Sequence, residues 1–389
     1  MIPREMKAKL LESARQYPIL SITGPRQSGK TTLARRAFPD YAYLSMENPD
    51  TKAEFEDDPK AFLSRNRSHV VFDEAQRTPE LFSYLQGIVD EDRVPGQFVL
   101  TGSQNFLLMR SVSQSLAGRV ALFTLLPLSY DELREAGVSP QSMPEWLYRG
   151  GYPATAAHGI DPQDYFPDYL GTYLERDIRR ELGVRNLSGF ETFVKLCALR
   201  CGELLNISSL ASDCGISPMT AREWLSTLEA SHIVFRLRPH FANATKRLVK
   251  TAKLYFHDTG LAAYLMGCDS VEALYDGGHL GQLFECGVIC ELMKRSYARK
   301  RDPHLSFWRD DHKREIDILL ERGMRAVRAV ECKSSTTYNS RYFDSLNAIA
   351  CDELGLDASS QAVVYGGDHA MNTKRGRVIP FTEIGSLLE

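Results

Sequence analysis

No run of apolar residues in this chain approaches the eighteen or so that a helix needs to cross a bilayer, so no membrane span and no membrane partner is expected. The opening MIPREMKAKL carries charges where a secretion signal would need an apolar core, which points to a cytoplasmic protein. Its eight cysteines form no CxxC and fall in no Cys/His metal-ligand spacing, so a zinc module is excluded and reduced core thiols are expected. A net positive charge is also missing. Lys and Arg number 47 against 50 Asp and Glu, a formal charge of -3, which excludes a protein that holds nucleic acid by an overall positive field.

Composition is otherwise ordinary, with 43% apolar and 25% charged residues, so the chain can build sizeable cores. Its 389 residues suggest two or three domains. Charge is unevenly spread. Glu47 to Asp58 holds six acids against Lys52, whereas Lys294 to Arg314 holds eight basic residues against Asp302, Asp310 and Asp311. A polyanion would prefer the C-terminal half.

The N-terminal third carries the most specific chemistry. PILSITG reads as a short apolar strand, and Gly24, Pro25, Arg26, Gln27, Ser28, Gly29, Lys30, Thr31 and Thr32 lead into the helix-forming LARRAF. Strand, glycine loop and helix are what a phosphate-binding loop requires. The glycines allow a tight turn of inward amides, the helix terminus adds its dipole, and Lys30 supplies a point charge. Thr31 would hold magnesium through its hydroxyl. Downstream, His69 to Phe72 is a buried-type strand ending in Asp73 and Glu74, an acidic pair that suits Walker-B chemistry. Asp73 would reach the magnesium shell and Glu74 would polarise the attacking water. A third strand, Phe98 to Leu100, ends in Thr101, Gly102, Ser103 and Gln104, making Ser103 a candidate sensor of the γ-phosphate. Arg119 is either an arginine finger for a neighbouring subunit or a solvated surface cation.

GPRQSGKTT, VVFDEAQ, VLTGSQN, LAGR and PLSYDEL together resemble the prokaryotic AAA-type P-loop ATPases (AAA+/STAND-like) whose C-terminal half is a domain of unknown function. The resemblance covers nearly the whole chain. It implies an ATP-binding, ATP-hydrolysing core with ATP and Mg2+ as cofactors, in which Lys30, Thr31, Asp73, Glu74, Ser103 and Arg119 take the roles above, and relatives that form homo-oligomers.

Beyond Pro127 the pattern is helical, as in an ATPase lid, and Arg176, Arg179 and Arg180 lie on it. Ser208 to Leu225 has helix-turn-helix grammar: Gly215 breaks one helix, and Ser217 caps the next with Pro218 at its first position. Strands at 233–237 and 253–256 would form a wing. Arg236, Arg238, Lys246, Arg247, Lys250 and Lys253 carry six positive charges with no acid among them, which suits either DNA phosphates or a wing used for packing.

In the last third, Glu285 lies on a helix, Asp317 inside an apolar strand, and Glu331 and Lys333 on one face of another. Carboxylates converging with a lysine can hold magnesium and cut phosphodiesters. These four residues resemble the active site of the restriction-endonuclease-like superfamily, with Glu285, Asp317 and Glu331 as metal ligands and Lys333 as the catalytic lysine. His257 and Asp258 read as turn residues.

The expected architecture is α/β: a P-loop NTPase parallel sheet at 1–126, a helical lid at 127–187, a winged helix at 188–267 and a restriction-endonuclease-like α/β domain at 268–389. The expected function is ATP hydrolysis coupled to DNA binding and metal-dependent cleavage. The alternative is an ATPase switch whose inactive nuclease-like domain binds DNA or a protein without cutting.

Overall fold

The computed structural model describes residues 2–103, 116–173, 186–240 and 251–389. Gln104, Arg176, Arg179, Arg180, Lys246, Arg247 and Lys250 lie outside them. The chain divides into two compact units. Unit 1 comprises Met1–Leu128, Ala230–His232 and Lys294–Arg301, and unit 2 comprises Ser129–Glu229, Ile233–Met293 and Asp302–Glu389.

Unit 1 is built on β1 (Ile19–Thr23), β2 (Ala42–Ser45), β3 (Val70–Asp73), β4 (Phe98–Thr101) and β5 (Val120–Thr124). They form a parallel five-stranded sheet in the order β2-β3-β4-β1-β5. Both faces are covered, which is why β1, β3 and β4 read as continuous apolar runs rather than alternating ones. Alternate side chains feed two cores. Leu20, Ile22, Val71, Val99 and Phe123 pack with Met6, Leu10 and Leu33, while Ile19, Phe72, Phe98 and Leu100 pack with Phe55, Phe62, Phe82 and Leu85. The order of strands has a functional consequence: β4 lies between β1 and β3, so the loops after all three emerge side by side at one end of the sheet.

Unit 2 begins with short helices. Ser129 and Glu132 close a reciprocal capping box on Tyr130–Glu135, and helices Met143–Arg149 and Pro162–Tyr173 follow. Helices Leu187–Leu199, Ile207–Asp213 and Pro218–Ala230 come next, the first and third packed through Phe190, Phe193 and Trp224. Gly215 takes φ +66°, a left-handed conformation that ends the middle helix at low cost. The Ser217 hydroxyl then accepts the Thr220 amide at 3.1 Å. β6 (Val234–Leu237) and β7 (Lys253–Phe256) pair antiparallel, with Leu237 opposite Lys253. Asp258 caps the helix Thr259–Leu265 through the Leu261 amide at 2.9 Å, as a turn residue should.

The C-terminal part of unit 2 is a mixed sheet. β8 (Leu305–Arg309), β9 (Glu315–Arg322), β10 (Arg325–Lys333), β11 (Gln361–Tyr365), β12 (Met371–Thr373) and β13 (Gly376–Pro380) run in the order β12-β13-β11-β10-β9-β8. The helix Tyr342–Asp352 lays Phe343, Leu346 and Ile349 on Leu319, Ala329 and Val363 of this sheet. All eight cysteines are unpaired, five of them buried, in agreement with their reading as core thiols. Among the described residues, no helix is long and apolar enough to cross a membrane.

Candidate functional site

The loop after β1 is shaped by what it cannot accommodate. A Cβ on Gly24 would lie 2.1 Å from the Leu125 carbonyl oxygen, and its φ of +145° disfavours any other residue. Gly29, at φ +95°, precedes the helix Lys30–Ala37. Lys30 is buried, and its ammonium donates to the carbonyls of Gly24 at 3.1 Å and Pro25 at 2.7 Å. Pro25 and Ser28 are buried, Arg26 is half-buried, and Gln27 (φ +57°) and Thr32 are exposed. The far side of the loop is braced from outside the motif. Arg4 donates to the Ser28 carbonyl at 2.7 Å and, through its other terminal nitrogen, to the Leu126 carbonyl at 2.6 Å.

Asp73 closes the gap between the loop and β3. The Thr31 hydroxyl donates to its two carboxylate oxygens at 2.9 and 3.1 Å, the Tyr43 hydroxyl donates at 2.7 Å, and the Thr101 hydroxyl also donates. Burial, and then the Asp73 carboxylate, push the Tyr43 phenol well above its ordinary range, so it stays a donor. Glu74 follows at φ +52°, a left-handed turn that takes its carboxylate off the strand alternation. There it accepts from the Ser103 hydroxyl at 3.1 Å and from the Gln76 amide. Ser103 reaches it because β4 ends beside β3. His232, also in unit 1, is buried, and burial followed by the charge of Lys30 lowers its pKa to about 4.

Lys30, Thr31, Asp73, Glu74 and Ser103 are therefore joined at one end of the sheet. Arg119 is not brought there. It precedes Val120, which is in register with Ile19 at the start of β1, whereas the glycine loop follows the other end of that strand. Its guanidinium forms a two-pronged pair with Asp90 at 2.6 and 2.8 Å. The sequence reading missed Arg4, Tyr43 and His232, none of which sits in a local pattern, and named Thr101 only as one of the polar residues ending β4.

A second cluster lies in unit 2. Oxygens of Glu285, Glu315 and Asp317 lie within 4.8 Å of one another. Asp317 accepts the Cys332 amide at 2.8 Å across the β9–β10 pair, so the expected meeting of these two strands occurs. Glu331 instead pairs with Lys333 at 2.6 Å. Burial and then the Asp317 charge raise the Glu285 pKa to about 7 and the Glu331 pKa to about 8. Lys253 was grouped with the wing charges, but it is buried against Glu285 at 3.0 Å and against Glu315. Arg236 is likewise spent on Glu229, at 2.6 and 2.8 Å. Lys253 is therefore not left facing solvent as a phosphate contact, whereas Arg236 is exposed but ion-paired.

Parallel sheet, glycine loop, Lys30 and the Thr31–Asp73 pair give unit 1 a P-loop architecture. Residues 16–134 match the family model described as AAA domain, and residues 140–272 and 280–384 match two models each described as a domain of unknown function (DUF8612 and DUF4143). An uncharacterized protein of Mycobacterium tuberculosis is 34% identical over 372 residues, spanning 94% of this chain and 80% of the relative, and one of Mycobacterium bovis matches with the same figures. The chain belongs to the same family as these mycobacterial proteins. A Walker-type ATPase of Pyrococcus abyssi aligns over 68% of this chain and 96% of its own, at 17% identity and a TM-score of 0.46.

Proposed function

We propose that the loop 24–31 binds the triphosphate of ATP, and that the residues joined at its mouth hydrolyse it. The observation that carries this reading is the Thr31–Asp73 pair, a hydroxyl and a carboxylate in contact beside a buried lysine. Lys30 would exchange the Gly24 and Pro25 carbonyls for phosphate oxygens, a stronger charge-assisted partner. Thr31 and Asp73 are oxygen donors of the kind Mg2+ prefers, and the metal would supply charge neutralisation on the phosphates. Glu74 would take the proton of the attacking water, and Ser103 would report the state of the γ-phosphate to Glu74. Arg119 could act only on the nucleotide of a neighbouring subunit, which makes a homo-oligomer part of this reading. Steady-state phosphate release tests it: Lys30→Ala abolishes turnover, and Glu74→Gln binds ATP without hydrolysing it. Normal rates in either variant would eliminate the proposal.

For the distal half, we infer a helical lid at 127–187, a winged helix at 188–267 and a restriction-endonuclease-like domain at 268–389, acting as a DNA-engaging module driven by nucleotide state. The support is the face of the helix Pro218–Ala230 formed by Met219 and Arg222, together with Arg238, all exposed. Binding of a fluorescent duplex, followed by anisotropy across a salt series, tests this. Arg222→Ala with Arg238→Ala should weaken binding and flatten the salt dependence by about one to two counterions. Unchanged binding would leave a protein partner as the better reading. Metal-dependent cleavage through Glu285, Asp317, Glu331 and Lys333 is the alternative, and the surroundings of Glu285 favour the non-cleaving form.

A further inference from the structure

The carboxylate cluster of unit 2 already contains a cation. Lys253 is the first residue of β7 and its side chain is 4% exposed. Its ammonium donates to Oε1 of Glu285 at 3.0 Å and pairs with Oε1 of Glu315. That same oxygen of Glu285 also accepts the Tyr255 hydroxyl. The other oxygen of Glu315 is taken by Arg309 at 2.8 Å. A divalent ion bridging Glu285, Glu315 and Asp317 would sit about 2.0–2.6 Å from their oxygens. Two of those three carboxylates are the ones Lys253 holds, so the ion would meet a buried positive charge at contact distance. Its ligands would also have to shed hydrogen bonds they already make.

Charge points the same way. Among the described residues, Glu285, Glu315, Asp317 and Glu331 face Lys253, Arg309 and Lys333, so the site is nearly neutral without a metal. We infer that Lys253 is the resident cation of this cluster, holding two of the three carboxylates that a divalent ion would bridge, so that unit 2 as folded excludes the metal and does not cut. Lys253, Glu285 and Glu315 then form an ion-paired core that fixes β7 to β9 and to the helix Leu280–Ala298. This inference is independent of ATP binding in unit 1.

The test is Mn2+ binding to the full chain without nucleotide, read by electron paramagnetic resonance. Wild type and Asp317→Asn should bind Mn2+ equally weakly. Lys253→Met, which keeps the volume and removes the charge, should gain one site at least tenfold tighter, and adding Asp317→Asn should remove it. A wild-type site that disappears in Asp317→Asn overturns the inference, as does a Lys253→Met protein that binds like wild type. If Lys253→Met does not fold, Lys253→Gln and the comparison of wild type with Asp317→Asn decide the matter. Phosphate release measured on the same samples reports separately on the ATP site.

Discussion

The hydroxyl of Thr31 donates to both carboxylate oxygens of Asp73, at 2.9 and 3.1 Å, across 42 residues of chain. The bond joins the helix that starts at Lys30 to the end of β3, and it pre-sets the two groups that would hold magnesium. Thr31→Val keeps the shape and deletes the donor. Turnover at saturating ATP should fall on the order of 10–100-fold, with a higher Mg2+ requirement, while Thr31→Ser should stay near wild type. A magnesium titration of phosphate release distinguishes these outcomes.

Arg4 sets the loop from behind. Its guanidinium bridges the Ser28 and Leu126 carbonyls, and a charge-assisted hydrogen bond contributes about 1.5–3 kcal/mol. Arg4→Ala should raise the Kd for ATP roughly tenfold and lower the melting temperature. Arg4→Lys, with a single donor group, should recover part of each. Equal affinities in all three proteins would show that the brace is dispensable.

His232 makes the stability of unit 1 sensitive to acid. Its folded pKa is about 4 against an ordinary value of 6.5, so between those values the unfolded chain binds the extra proton. The contribution is present above about pH 6.5 and is lost as pH falls toward 4, on the order of 3–4 kcal/mol in full. Thermal melts from pH 7 to 4.5 should show this loss in wild type and a shallower slope in His232→Phe. Because the charge of Lys30 contributes to the shift, bound triphosphate should move the His232 titration, followed by NMR, back toward its ordinary value.

Trp224 packs edge-on against Phe190 and Phe193, with ring centroids 5.3 and 5.5 Å away. Trp224→Ala should cost about 3–5 kcal/mol and abolish binding to any partner that uses the helix Pro218–Ala230. ATP turnover in unit 1 should survive. Calorimetry showing an unshifted melting transition would contradict the packing argument.

The arrangement of the candidate ATP site was legible because its constraints are local. Gly24, Gly29, Lys30 and Thr31 are fixed by one turn, and Asp73, Glu74 and Ser103 by the ends of two apolar strands. Ser217 and Gly215 were legible for the same reason, since caps and breaks act within a few residues. What escaped notice depends on distant partners. Arg4 lies 24 residues from Ser28, and Lys253 lies 32 residues from Glu285, with no acid near it in sequence to mark it as paired. Lys253 therefore resembled the wing cations around it. Glu315, two residues before Asp317, gave no signal of its own, although it shares the cluster.

The most direct test of the account is a crystal structure of the full chain with a non-hydrolysable ATP analogue and Mg2+. The predicted result is a triphosphate resting on the amides between Gly24 and Thr31, with Lys30 turned onto the phosphates, the metal between Thr31 and Asp73, and Glu74 facing the γ-phosphate. An empty loop, or Asp73 and Glu74 turned away from the nucleotide, would contradict it.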